Sequence, residues 1–308
     1  MTDHLHDVLE GLGDGGAAAW RDLLEVVTAA DGVEPFGEAF LRGLDDADAG
    51  HRHLRVVADG ALAGVAASDG EGAELAVHPD LRRRGVGRAL LDALADGGAG
   101  EDAAPAVWSH GDLRAARSLA ASAGWAPARE LLQMSISGDE LESAAAGRPA
   151  PEGLHLEALP ELRARIGKDA ADRAWLAVNN EAFGWHPEQG GWSPADLRRA
   201  RDVAWFDPEG VLFAVEDAGA GADGGVVGFH WTKRHPGGVG EVYVIGLADR
   251  ACGRGVGGWL TRAGIAHLAE GGAREVILYV EGDNEPAVAT YRRIGFDVSR
   301  RDVMHRRA

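Results

Sequence analysis

A single cysteine, Cys252, stands in the 308 residues of this chain. One thiol can neither close an internal disulfide nor supply the thiolate set of a structural zinc site, so both are excluded. Lysine is almost as scarce: Lys168 and Lys233 are the only two, and arginine carries the remaining positive charge. Basic side chains are outnumbered 31 to 49, and the formal net charge is −18. A chain this acidic is repelled by a phosphate backbone or an anionic bilayer, which sets aside duplex nucleic acid and membrane surfaces as partners. No apolar run has the length to span a bilayer, and the opening M-T-D-H-L-H-D lacks the apolar segment of a secretory leader. The expected location is the cytoplasm. The pairs His4/His6 and His51/His53 have no acidic partners at ligand spacing, so their expected place is solvent and no metal is expected.

What the chain does contain is one turn written twice. The segment L-A-V-H-P-D-L-R-R-R-G-V-G-R-A-L-L places Arg82, Gly85 and Gly87 between a strand and a helix. The segment V-I-G-L-A-D-R-A-C-G-R-G-V-G-G-W-L places Cys252, Gly255 and Gly257 in the same positions. The elements around the two turns also repeat. A helix at Trp20–Ala30 is followed by a hairpin over 53–58 and 61–67 that turns at Asp59-Gly60. Strand 75–77 enters the first turn, and Val86, Leu90 and Leu94 form the buried stripe of the next helix. A strand at 106–109, a helix at 112–123 and a strand near 130–136 finish that half. After a small-residue, proline-bearing linker at 143–153 the order recurs: a helix at 169–182, strands at 211–216 and 226–232, and strand 241–247 before the second turn. Val256, Leu260 and Ala263 are then expected to face the core, and 276–280 to form a fully buried strand. The length suits two domains, so the reading is 1–142 and 154–308, homologous α+β domains in tandem.

A strand running into R-x-x-G-x-G and then a helix gathers unpaired backbone N–H groups at one point, an anion site suited to a pyrophosphate. Neither copy has the Gly-Lys-Ser/Thr of a P-loop. With N-E-P-A-V-A-T-Y-R-R-I-G-F following one strand after the second turn, the chain resembles two copies of the GNAT superfamily of N-acetyltransferases. The resemblance implies two GNAT-like domains, each a mixed, mostly antiparallel sheet flanked by helices, with acetyl-CoA as co-substrate. It assigns cofactor contacts in the first half to Leu75, Ala76, Val77, Arg83, Arg84, Gly85, Val86, Gly87 and Arg88. In the second half it assigns them to Ile245, Gly246, Leu247, Cys252, Gly253, Arg254, Gly255, Val256, Gly257 and Gly258, and to Asn284, Glu285, Pro286, Ala287, Val288 and Ala289. Cys252 departs from the usual Gln or Arg, which weakens side-chain support but leaves the backbone site.

Four segments narrow the resemblance to the mycothiol synthase family: H-P-E-Q-G-G-W (186–192), G-F-H-W-T-K (228–233), G-E-V-Y-V-I-G (240–246) and L-Y-V-E-G-D-N (278–284). That family acetylates the cysteine amine of cysteinyl-glucosaminyl-inositol. The resemblance makes Glu241 the general base, directly or through water, and Tyr291 the general acid for the departing thiolate. It assigns Glu38, Glu188, Lys233, Glu241 and Tyr279 to the acceptor. Lys233 has support of its own, as a lysine kept in an arginine-dominated chain and suited to hydroxyl groups. Trp185, Trp192 and Trp231 are read as packing.

The halves are unequal. Aligning Gly124-Trp125 with Gly295-Phe296 puts Leu113 at the position of Asn284 and Ala120 at that of Tyr291, and aligning the two glycine turns puts Glu71 at that of Glu241. Catalysis is therefore assigned to the second half, and cofactor holding or a structural role to the first. The alternatives are a tandem acetyltransferase for another small-molecule or peptide amine, and a non-catalytic acyl-CoA sensor. A monomer is expected.

Overall fold

The computed structural model describes residues 7–96, 104–184, 189–217 and 224–308. Two compact units divide the chain: Met1–Leu132 with Arg300–Ala308, and Gln133–Ser299. The division falls ahead of the 143–153 linker, and the last residues belong to the first unit. Strand pairing, which composition does not register, is the reason: Val303, Met304 and His305 pair with Ser109, Trp108 and Val107.

The first unit contains β1 (Val8–Glu10), α1 (Gly16–Asp31), α2 (Glu38–Gly43), β2 (Arg52–Ala58), β3 (Ala61–Ser68) and β4 (Gly72–Val77). It continues with α3 (Val86–Asp96), β5 (Ala106–Ser109) and α4 (Arg114–Ser122). Strand β6 (Trp125–Ser137) carries the chain into the second unit, which adds α5 (Gly138–Ala145), β7 (Leu154–Ala158), α6 (Leu159–Ile166), α7 (Lys168–Ala182) and α8 (Pro194–Arg201). There follow β8 (Val211–Glu216), β9 (Val226–His235), β10 (Val239–Leu247), α9 (Val256–Glu270), β11 (Glu275–Glu281), α10 (Glu285–Ile294) and β12 (Asp297–Arg307).

In the first unit the strands lie in the order β1-β2-β3-β4-β5-β12, antiparallel except for the β4–β5 pair. In the second the order is β6-β11-β10-β9-β8-β7, with β10–β11 parallel and β7 through β10 antiparallel. Asp59 and Gly60 both take positive φ (51° and 81°), the primed-turn geometry that a two-residue hairpin needs. Val86, Leu90 and Leu94 are buried against Leu54, Val56 and Val107. Trp175 on α7 centres the larger core of the second unit, with Phe213, Phe229 and Trp231.

Three expectations change. Ala263 is only half-buried, because it lines an open pocket with Arg148, Trp259 and, on the edge strand β7, Leu154 and Leu156. The run 276–280 alternates: Val276, Leu278 and Val280 are buried, Ile277 is half-buried and Tyr279 is exposed, so one face of β11 is left open. His51 and His53 do not lie in solvent. They pack on Phe40 and Trp20, ring centroids 5.1 and 5.3 Å apart, because β2 lies under α1 and α2. His4 and His6 lie outside the described residues.

Candidate active site

In the second unit the parallel pairs of β10 and β11 run from Val239/Glu275 to Val242/Leu278 and stop there. A bulge follows at Tyr243, between Val242 and Val244 of β10 against β9. Beyond it, Val244 to Leu247 approach the second glycine turn with their β11 side open, which is the peptide edge that a strand-like ligand arm pairs with. The turn itself uses Gly253 and Gly255 at φ 74° and 80°. Gly255 caps α9, so the N–H groups of Val256, Gly257 and Gly258 have no acceptor within the helix. A Cβ at Gly258 would lie 3.8 Å from Thr290 of α10. Glycine thus keeps a smooth cradle between the two helices, and the donor set fits a pyrophosphate.

One predicted contribution to this cradle differs in the structure. Arg254 bonds Glu216 at 3.1 Å, so its charge is partly neutralised rather than offered whole to an anion. Cys252 is exposed, with Sγ 3.8 Å from the Ala248 carbonyl. The Glu181 carboxylate of α7 instead accepts from the Asp249 N–H at 2.7 Å and holds the turn from outside.

Glu241 is 7% exposed, and its Oε2 lies 2.6 Å from His235 Nε2. Lys233 stands directly across the ladder from Glu241, on the same face. Its ammonium sits 5.0 Å from the Trp205 ring centre and 5.6 Å from that of Tyr243. Asn284 caps α10, its side chain accepting from the Ala287 N–H at 3.3 Å, with Glu285 and Pro286 in the first turn and Val288 buried. Ala289 is exposed. Tyr291 is 8% exposed against Phe296, and burial pushes its phenol up to about 12. Tyr279 accepts at its hydroxyl from Gln133 at 2.8 Å. Trp231 and Trp192 are packing residues of the core. Glu188 and Trp185 lie outside the described residues.

The first unit has the same turn with different support. Arg82 forms a two-pronged bond to Asp31 of α1 (2.7 and 2.8 Å) and donates from Nε to the Val77 carbonyl, so it braces the loop. A cavity of about 640 Å³ opens beside it, lined by Leu75, Ala76, Val77, Arg83, Gly85, Gly87 and Arg88 among the predicted residues. Val86 turns into the core and Arg84 is exposed. Leu113, Ala120, Trp108, Ser109 and His110 also line this cavity. Glu38 begins α2 of this unit with an exposed side chain.

Glu71, the counterpart of Glu241, is exposed ahead of β4. Among the described residues of this unit the buried acids are Glu74 and Asp302, both missed by sequence reasoning. Glu74 bonds His110 at 2.8 Å and accepts from the Gly37 N–H at 2.7 Å. Burial opposes charge on His110, but hydrogen bonds to Asp302 and Glu74 outweigh it and raise the imidazole to about 9. A ring held as a cation is a poor base at neutral pH. Among the described residues no group of three or more ligating side chains is placed to hold a metal.

The profile of the Acetyltransferase (GNAT) family matches residues 175–296, and that of an Acetyltransferase (GNAT) domain matches residues 49–126. The chain is similar to the mycothiol acetyltransferase of Corynebacterium efficiens, 46% identical over 92% of this chain and 90% of the relative. It is similar to that of Mycolicibacterium vanbaalenii, 45% identical over 92% of each. Among solved structures it resembles a GCN5-related N-acetyltransferase from Sphaerobacter thermophilus, with TM-score 0.68, 26% identity and coverage of 97% of this chain and 95% of the other. A tandem GNAT protein from the clavulanic acid biosynthesis pathway shares the fold, with TM-score 0.68, 20% identity and coverage of 97% and 98%.

Proposed function

The chain belongs to the mycothiol acetyltransferase family of tandem GNAT proteins, and from that premise we propose that its second unit moves acetyl from acetyl-CoA to the cysteine α-amine of cysteinyl-glucosaminyl-inositol. It is an acetyl-CoA-dependent N-acetyltransferase. The observation that carries the assignment to one unit is the presence of a buried carboxylate, Glu241, and a buried phenol, Tyr291, in the half whose counterpart has an exposed Glu71 and an alanine, Ala120, instead.

An α-amine has a reference pKa near 7.7–8.0, so at neutral pH the acceptor arrives mostly as an ammonium and must lose a proton before attack. Glu241 takes that proton, directly or through water. The amine nitrogen then bonds the thioester carbonyl carbon, the carbon–sulfur bond breaks, and a thiolate departs. Tyr291 protonates it as the general acid. Burial, which pushes the phenol up to about 12, keeps the proton on the oxygen until the thiolate forms, and solvent restores the phenol. Ile245–Leu247 pair with the pantetheine arm, and the N–H groups of the 252–258 turn and the first turn of α10 hold the pyrophosphate end. Lys233 and Tyr279 contact the acceptor's hydroxyl-bearing rings.

The first unit binds acetyl-CoA in its cavity without turning it over. A cytoplasmic monomer completes the proposal; among the described residues no helix is long and apolar enough to cross a membrane. The test is mass spectrometry of cysteinyl-glucosaminyl-inositol incubated with the protein and acetyl-CoA. Acetyl gained on the amine nitrogen supports the reading. Acetyl-CoA bound with the acceptor unchanged, and turnover on another amine, would replace the acceptor; no turnover on any amine would make the protein a sensor.

A further inference from the structure

The proposed reaction releases one proton for each turnover. An acceptor ammonium carries three N–H protons: the amide keeps one, the thiol gains the equivalent of one, and the third must reach solvent. Glu241 collects it, yet the Glu241 side chain is only 9% exposed. A buried carboxylate that cannot discharge its proton stops after one turnover.

His235 lies between that carboxylate and water. Its Nε2 is 2.6 Å from Glu241 Oε2, and its own side chain is 30% exposed. The hairpin puts it there. His235 pairs with Val239 and Lys233 with Glu241, so His235 sits on the same face as Glu241, one diagonal step along the ladder. The intervening Pro236–Gly238 turn, with Gly237 and Gly238 both at φ 80°, fixes that register. Arg274 donates to the Gly237 carbonyl at 3.2 Å, and Glu275 of β11 pairs with Val239. Lys233 directs its ammonium over Trp205 and Tyr243. Arg234 bonds Asp207 and His267.

We propose that His235 is the positioning residue for Glu241 and its proton outlet. The inference rests on Glu241 being the base. The acceptor N–H breaks as an O–H forms on Glu241. At rest Nε2–H donates to the ionised carboxylate. Once Glu241 is protonated, exchange with solvent moves the ring hydrogen to Nδ1 and the Glu241 proton passes to Nε2. The imidazolium then gives its Nδ1 proton to water, which restores the resting tautomer. No other reactant is needed.

The experiment compares wild type with His235→Ala, His235→Gln and Glu241→Gln, following the acetylated product by mass. His235→Ala is expected to lower kcat by about 10- to 100-fold, with KM for acetyl-CoA within about twofold, and added imidazole to restore part of the rate. His235→Gln keeps an N–H donor but cannot relay a proton. It is expected to melt like wild type and to remain slow. Full activity in His235→Gln would overturn the outlet, since orientation alone would then suffice. Both His235 variants within about twofold of wild type, beside a Glu241→Gln variant slowed at least about 100-fold, would also overturn it and leave the base standing. An active Glu241→Gln would overturn the base, and the outlet with it.

Discussion

His110 Nε2 lies 2.8 Å from Glu74 Oε1, just beyond the point where β4 and β5 stop pairing, and the opposite ring nitrogen lies 3.2 Å from Asp302. One imidazolium thus holds β4, the end of β5 and the C-terminal residues of the first unit together. Its folded pKa, about 9, is above the unfolded value of 6.5. The stabilisation is therefore fully present below pH 6.5 and is lost as pH rises through 9. It is on the order of 3 kcal/mol. Denaturant unfolding between pH 6 and 10 should show wild type losing stability across that window and His110→Asn lacking the slope. Parallel curves would contradict it.

Cys252 and Arg82 occupy equivalent turns, but only Arg82 is tied down, by Asp31. If backbone N–H groups hold the anion in the second unit, the thiol itself is dispensable. Cys252→Ser should keep kcat and the acetyl-CoA KM within about twofold, whereas removing a side chain bonded to a charged group costs about 1.5–3 kcal/mol, tenfold or more. Alkylation of the exposed thiol should inactivate wild type, with acetyl-CoA protecting, and spare Cys252→Ser. Steady-state kinetics before and after iodoacetamide decides this.

Gly264 on α9 faces the ring of His230, which is fully buried and bonds the Leu260 carbonyl at 2.9 Å. An added Cβ would overlap that ring. Gly264→Ala should lose about 1–3 kcal/mol of stability through overpacking. Gly258→Ala, on the same helix with its nearest contact at 3.8 Å, should lose none and gain up to ~1 kcal/mol of helix propensity. Urea midpoints of the two variants separate packing from propensity.

Lys233 opposes Glu241 on the ladder and lies against Trp205 and Tyr243. A lysine so held presents hydrogen-bond donors in a fixed place. Lys233→Ala should raise the acceptor KM by about tenfold, the weight of one such bond to a charged donor, with the acetyl-CoA KM unchanged. A fall in kcat alone would assign it to the chemistry instead.

The duplicated turn, the Asp59-Gly60 hairpin and the Val86/Leu90/Leu94 stripe were legible in the sequence because each is a local pattern of φ requirement or periodicity. The local structure of the candidate site was legible where a motif is contiguous, as in the glycine turn at 252–258 and the Asn284-capped helix at 284–291. The Glu74–His110–Asp302 cluster was not, because its members meet only when the last residues of the chain join the first unit. Arg82 and Asp31 likewise carry no spacing signal. His235 could have been found: K-x-H before Pro-Gly-Gly and Gly-Glu places 233, 235 and 241 on one face of a hairpin. The alternation of β11 was hidden by Ile277 and Tyr279, residues apolar enough to read as buried.

The central claim, that chemistry runs in the second unit alone, is tested most directly by comparing product formation in Glu241→Ala, Tyr291→Phe and Arg83→Glu. Arg83 lines the first-unit cavity. The account predicts turnover reduced by about 10²-fold or more in the first two variants and within about twofold of wild type in the third. Wild-type turnover in Glu241→Ala, with loss in Arg83→Glu, would contradict it.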